Sequence, residues 1–91
     1  MKRVRAYIEG RVQGVWFRGW TVDEASRRGL SGWVRNRRDG RVEAVFAGDD
    51  ADVDAMVKAC WTGPPAAQVQ NVVIETEPEP VAAGFVQAGT V

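Results

Sequence analysis

Near the start of the chain Val4, Ala6 and Ile8 alternate with Arg3, Arg5, Tyr7 and Glu9. A period of two is the pattern of a half-buried strand, and Gly10 is expected to end it. A glycine-punctuated segment follows: Gly10-Arg11-Val12-Gln13-Gly14-Val15-Trp16-Phe17-Arg18. A helix is predicted next, over about Phe17 to Arg28, with Gly29 as its left-handed stop. On a helical wheel Arg18, Val22 and Ala25 share one face, which sets an arginine in line with the apolar stripe. A cation in the first turn also opposes the positive end of the helix dipole. Both features disfavour folding slightly and point to an anion partner.

Gly32 to Arg37 reads as a second strand, and Asp39-Gly40 is a strong hairpin signal. Val42, Ala44 and Phe46 alternate with Arg41, Glu43 and Val45 in a third strand that ends at Gly48. Asp50 is the expected N-cap of a second helix. Its face is Val53, Met56, Val57 and Cys60, at i, i+3, i+4 and i+7. Gly63-Pro64-Pro65 breaks that helix. Val69 to Thr76 is a fourth strand, and the shift in apolar parity between Val69 and Val72 predicts a bulge. After the loop Glu77-Pro78-Glu79-Pro80, Phe85 to Val91 forms a last short strand. The order β-α-β-β-α-β plus a terminal strand predicts an α+β fold in one domain, residues 1–91. It is the ferredoxin-like split β-α-β sandwich, a mainly antiparallel sheet with two helices on one face. Many unrelated functions use that fold, so it decides no activity.

Composition narrows the chemistry. The 91 residues contain no histidine and one cysteine, Cys60. Histidine-based triads, phospho-histidine chemistry and most zinc or iron sites are excluded, as is an internal disulfide. No apolar run has the length of a signal peptide or a membrane span. The expectation is a soluble cytoplasmic protein with no membrane partner. The formal net charge is zero, but residues 1–41 hold 11 basic and 4 acidic groups, while residues 42–91 hold 1 and 8. The chain is therefore +7 in one part and −7 in the other, an asymmetry to be explained.

Several constellations fail on their own terms. Asp50-Ala51-Asp52-Val53-Asp54 opens like a calcium loop, but Ala55 and Trp61 occupy the positions of its obligatory Gly and Glu. A helix N-terminus accounts for it better. Cys60 has no arginine just downstream to cradle a phosphate, so a buried inert thiol is expected. Gly14 to Gly19 has the glycine spacing of an ATP-type phosphate loop, but Trp20 stands where the lysine belongs. Arg35, Arg37, Arg38 and Arg41 lie close in sequence to Trp16, Trp20 and Trp33, an arrangement compatible with nucleic acid. The third strand, however, carries Glu43 in place of stacking aromatics, and a solvated basic hairpin is the plainer reading. Gly10 to Arg18 remains. Glycines there let backbone N–H groups converge, the helix start adds its own, and Arg18 offers a bidentate fork. That is an oxyanion cradle; the plain alternative is a β-α turn with a surface arginine.

Gly10 to Arg18 resembles the first signature of the acylphosphatase family. Gly32-Trp33-Val34-Arg35-Asn36-Arg37-Arg38-Asp39-Gly40-Arg41-Val42, with Gly48 closing the third strand, resembles the second. Gly63-Pro64-Pro65-Ala66-Ala67-Gln68-Val69 is similar to the family's approach to the fourth strand. The resemblance implies a hydrolase without metal or other cofactor that cleaves acyl phosphates to a carboxylate and inorganic phosphate. It implies that Arg18 binds the phosphoryl group and that Asn36 orients the attacking water. The backbone of Arg11, Val12, Gln13, Gly14 and Val15 would form the phosphate loop. The partner is then a small-molecule acyl phosphate, with no nucleic acid, and the chain a monomer. Other readings are a non-catalytic anion-binding module and an RNA-binding split β-α-β module. Both signatures fall in the basic part of the chain. The cluster of Arg11, Arg35, Arg37, Arg38 and Arg41 is expected to draw a phosphate dianion, while the acidic part caps a helix and solvates far loops.

Overall fold

The computed structural model describes residues 1–91. Five strands and two helices follow in the order β1 (Lys2–Arg11), α1 (Phe17–Arg27), β2 (Ser31–Asn36), β3 (Val42–Gly48), α2 (Asp50–Cys60), β4 (Gln68–Thr76) and β5 (Phe85–Gln87). The sheet order is β4-β1-β3-β2-β5. β1 runs antiparallel to β3 and β4, and β2 antiparallel to β3. β5 alone pairs in parallel, on the outer edge of β2. No helix is long and apolar enough to cross a membrane.

The alternation in β1 does what its period requires. Val4, Ala6 and Ile8 join Val34, Val42, Ala44 and Phe46 on one sheet face, and Phe17, Ala25, Val53, Met56 and Cys60 close over them from the helices. Both helices therefore share that face, as expected. β1 passes through Gly10 and continues to Arg11, because Gly10 sits at a register shift where Glu9 pairs Asn71 and Gly10 pairs Val69. Gln70 is the extra residue, so the bulge falls between Val69 and Val72, where the parity change places it.

Three local expectations need correcting. The buried stripe of α1 is Phe17, Thr21 and Ala25, not Arg18, Val22 and Ala25. Phe17 anchors the first turn, and the buried Thr21 hydroxyl is satisfied by donating to the Phe17 carbonyl at 2.8 Å. Arg18 is thereby turned to the flank of the helix. The N-cap of α2 is Asp49, one residue earlier than expected, and it caps without a side-chain hydrogen bond. Asp50 instead pairs with the terminal amine of Met1 at 3.2 Å, and Asp54 with Lys2 at 2.6 Å. The last strand ends at Gln87, although backbone bonds continue beyond it: Ala88 donates to the Val34 carbonyl, Val91 to that of Asn36, and Arg38 to that of Val91. The stop of α1 is as expected, with Gly29 left-handed (φ 72°) and Leu30 donating back to the Ala25 carbonyl.

The helix-free face of the sheet carries the charge. Residues 42–47 of β3 are all buried, though no helix covers Glu43, Val45 or Ala47. An arginine–aromatic layer covers them instead. The Arg5 and Arg35 guanidiniums lie 5.2 and 4.5 Å from the Trp33 ring, and Arg41 lies 4.7 Å from that of Tyr7. Beneath them Glu43 is 1% exposed. It accepts from Arg35 Nε and Arg37 Nη1, both at 2.9 Å, and from Arg5. Arg5 also pairs with the buried Glu77. The acidic part of the sequence thus does more than cap a helix and solvate loops: Glu43 and Glu77 neutralise arginines of the basic part.

Burial opposes ionisation of Glu43, but bonds from Arg35, Arg5 and Arg37 outweigh it and hold the carboxyl below its ordinary range. A depressed folded pKa contributes stability above the unfolded value of about 4.3 and loses it as pH falls. Glu43→Gln is expected to cost roughly 2 kcal/mol at neutral pH, the low side for a buried ion cluster because its arginines reach solvent. In urea denaturation, the gap between wild type and variant should shrink as pH drops from about 6 toward about 3.

Candidate active site

β1 delivers the chain to the end of the sheet where β2 finishes, and Val12 then turns inward, 1% exposed, as a plug in the core. The next residues cannot continue the strand. Gly14 (φ 74°) and Trp16 (φ 66°) are both left-handed, with Trp16 the sole non-glycine at positive φ. Holding an L-residue there costs about 1–2 kcal/mol. The result is a tight arch whose last residue is also the N-cap of α1. From Val12 to Gly19 no backbone N–H finds an acceptor within the protein; the first donor after the arch is Trp20, to the Trp16 carbonyl at 3.0 Å. Loop and helix start thus present a continuous run of free N–H donors at the positive end of a helix.

The arch is fastened by one side chain. Gln13 Nε2 donates to the carbonyls of Arg37 and Arg41, at 2.7 and 2.9 Å. Both carbonyls belong to the β2–β3 hairpin, so both amide hydrogens of Gln13 tie the loop to the strand end that carries Asn36. That strand end is itself fixed: Arg35 and Arg37 point to the open face and hold Glu43, so by alternation Asn36 points to the helix side. Its Oδ1 is buried and has no hydrogen-bond partner.

These parts surround one cavity of about 250 Å³. Val12, Gln13, Gly14 and Trp16 line it from the loop, Phe17, Arg18 and Gly19 from α1, and Asn36 and Gln87 from the ends of β2 and β5. Arg18 forms no ion pair or hydrogen bond within the protein, unlike Arg5, Arg35, Arg37 and Arg41. Of the site residues expected from sequence, Arg18, Asn36, Val12, Gln13 and Gly14 are brought to this cavity. Arg11 ends β1 with an exposed side chain, and Val15 packs against the core; neither lines the cavity. The side chains of Gln13 and Gln87 had no signal in the sequence, and Trp16 and Gly19 stood out there only in patterns that were set aside. Their roles depend on how distant segments pack.

The remaining candidates are placed elsewhere. Cys60 is fully buried, and burial pushes its thiol up to about 12. Arg37 and Arg41 are bound to Asp39, whose carboxyl they hold well below the usual range, Arg41 most strongly. The hairpin is therefore not an open basic surface. No set of three His, Cys, Asp or Glu side chains is assembled that would hold a metal ion. A larger hollow of about 670 Å³ lies beside the chain start, but Lys2, Arg3, Arg28, Asp49, Asp52 and Glu77 line it with mixed charge.

A loop of free N–H groups, an unpaired arginine on the first turn of a helix and an amide from the neighbouring strand meet on one cavity of a split β-α-β sandwich. Comparison with known proteins gives the class. The family model for acylphosphatase matches residues 4–87. An acylphosphatase of Rhizorhabdus wittichii is 52% identical over 87 residues, covering 96% of this chain and 88% of its own. One from Rhodospirillum rubrum is also 52% identical, covering 96% of each chain. The crystal structure of acylphosphatase from Bacillus subtilis superposes with a TM-score of 0.91 at 35% identity, covering 97% of this chain and 99% of its own. The chain belongs to the acylphosphatase family.

Gln13→Glu keeps the size of the side chain but turns two donors into acceptors facing carbonyl oxygens. Losing two bonds of about 1 kcal/mol each is expected to weaken inorganic phosphate binding by up to roughly thirtyfold. A phosphate titration followed by tryptophan fluorescence or calorimetry measures it.

Proposed function

We propose that this acylphosphatase breaks the bond between phosphorus and the acyl oxygen with Arg18 and Asn36 as its two working side chains and the Val12–Gly19 backbone as its phosphate cradle. The observation that carries this reading is their meeting on one cavity: unpartnered N–H donors, a guanidinium with no carboxylate, and a buried amide oxygen with no donor.

Each group meets one need of the reaction. Phosphoryl transfer passes through a loose transition state with charge on the equatorial oxygens, so positioning and charge stabilisation supply most of the catalysis. The N–H run and the Arg18 fork neutralise those oxygens without reorganising. A buried acceptor left unpaired costs about 1–3 kcal/mol, and a water donating to Asn36 Oδ1 removes that cost. The same bond fixes the water for attack on phosphorus. The new bond forms from the water oxygen to phosphorus, and the electrons of the breaking bond leave with the carboxylate. A carboxylate is a good leaving group and needs no acid. With no histidine in the chain and no carboxylate on the cavity, the water's proton passes to a phosphoryl oxygen. No metal or cofactor takes part. The enzyme acts as a cytoplasmic monomer on a small-molecule acyl phosphate, with no nucleic-acid partner.

Arg18→Ala and Asn36→Ala are each expected to lower phosphate release from acetyl phosphate by at least about a hundredfold, with circular dichroism unchanged. Near wild-type turnover in both variants would remove the assignment. Arg18→Lys should also be poor, since an ammonium does not reproduce the planar fork. A chelator should leave the wild-type rate as it is.

A further inference from the structure

From the geometry around Trp16 we infer an acyl-group subsite: its exposed indole is the platform that selects flat, apolar acyl groups over acetyl. This rests on the phosphoryl assignment above and extends it to the other half of the substrate.

Two unfavourable local features converge on this ring. Trp16 holds the single positive φ among non-glycine residues, 66°. Gly19 interrupts the first turn of α1, where a good helix former would be favoured. The indole explains the glycine: a Cβ on Gly19 would lie 2.1 Å from Trp16 Nε1 and 2.5 Å from Cε2. One side of the ring is therefore laid directly on the helix backbone. The residue nonetheless remains 64% exposed, and it lines the same cavity as Arg18 and Asn36. A scattered surface tryptophan needs no explanation. One seated by a strained backbone and a helix glycine at the rim of a catalytic cavity does.

The reaction supplies the occupant. Once the loop and Arg18 hold the phosphoryl oxygens, in-line attack sets the water and the leaving carboxylate on opposite sides of phosphorus. Asn36 approaches from the buried strand end, so the acyl group departs toward the open rim. Trp16 is the exposed apolar surface there; Arg18, Asn36 and Gln87 are polar. Its free ring face offers stacking to an aromatic acyl group and only a small contact to a methyl.

The test is the selectivity ratio, kcat/KM for benzoyl phosphate over that for acetyl phosphate, together with inhibition by inorganic phosphate. Trp16→Gly, which suits positive φ, is expected to lower the ratio about fivefold, mostly through KM for benzoyl phosphate. That loss should exceed any loss in phosphate affinity. Trp16→Phe should retain most of the preference. An unchanged ratio in Trp16→Gly, or a fall in benzoyl phosphate affinity matched by an equal fall for inorganic phosphate, would make the ring a loop support and overturn the inference. Failure of the wild-type protein to release phosphate from either substrate would instead overturn the phosphoryl assignment, and this subsite with it.

Discussion

A single buried carboxylate, that of Glu43, fixes the geometry on which both faces of the sheet depend. Its three arginines come from β1, from β2 and from the residue just after β2, so it binds the central strands together on the face that lacks helices. Ion clusters of this kind add little net stability compared with a well-packed apolar core, because each charge must be desolvated. Here the arrangement adds direction. With Arg35 and Arg37 committed to the open face, the pleat leaves Asn36 one orientation only, toward the loop. The charge asymmetry along the chain is thus chiefly an internal bond between its two parts. Four arginines form no ion pair: Arg11, Arg18 and Arg38, and Arg3, which donates to the Glu77 and Pro78 carbonyls instead.

Much of this was legible in the sequence, because the elements announce themselves locally. The alternation in β1, the Asp39-Gly40 turn, the glycine stop after α1 and the parity slip in β4 each encode a backbone event within a few residues. What was not legible depends on tertiary contact. The wheel placed Arg18 on the buried stripe because it took Val22 and Ala25 as the guide, whereas the large Phe17 ring claims the core and rotates the stripe by one residue. Phe17 and Val22 look alike as apolar anchors in the sequence; which one is deepest is decided by the sheet below. The second N-cap lies one residue earlier than the sequence suggests, at Asp49, and Asp50 is the first helical residue, paired with the Met1 amine.

The site divides along the same line. Arg18, Asn36 and the glycine loop stand out because their types and spacing are unusual, and the resemblance to a known family rests on them. Gln13 does not stand out. An amide in a loop has many uses, and only the meeting of the loop with the hairpin reveals that both its hydrogens are spoken for. The cavity is therefore a product of two kinds of residue: those that face the ligand, visible in the primary structure, and those that hold them still, visible only after folding.

The backbone bonds around Val91 bear on the order in which the fold is assembled. Arg18 and Asn36 lie early in the sequence, yet Asn36 and Arg38 are bracketed by Val91 through hydrogen bonds spanning more than half of the 91 residues. Contacts so distant in sequence form late, since the intervening loop must first be closed. The strand end that carries Asn36 is therefore set by some of the most non-local contacts of the fold, among the last to form on refolding.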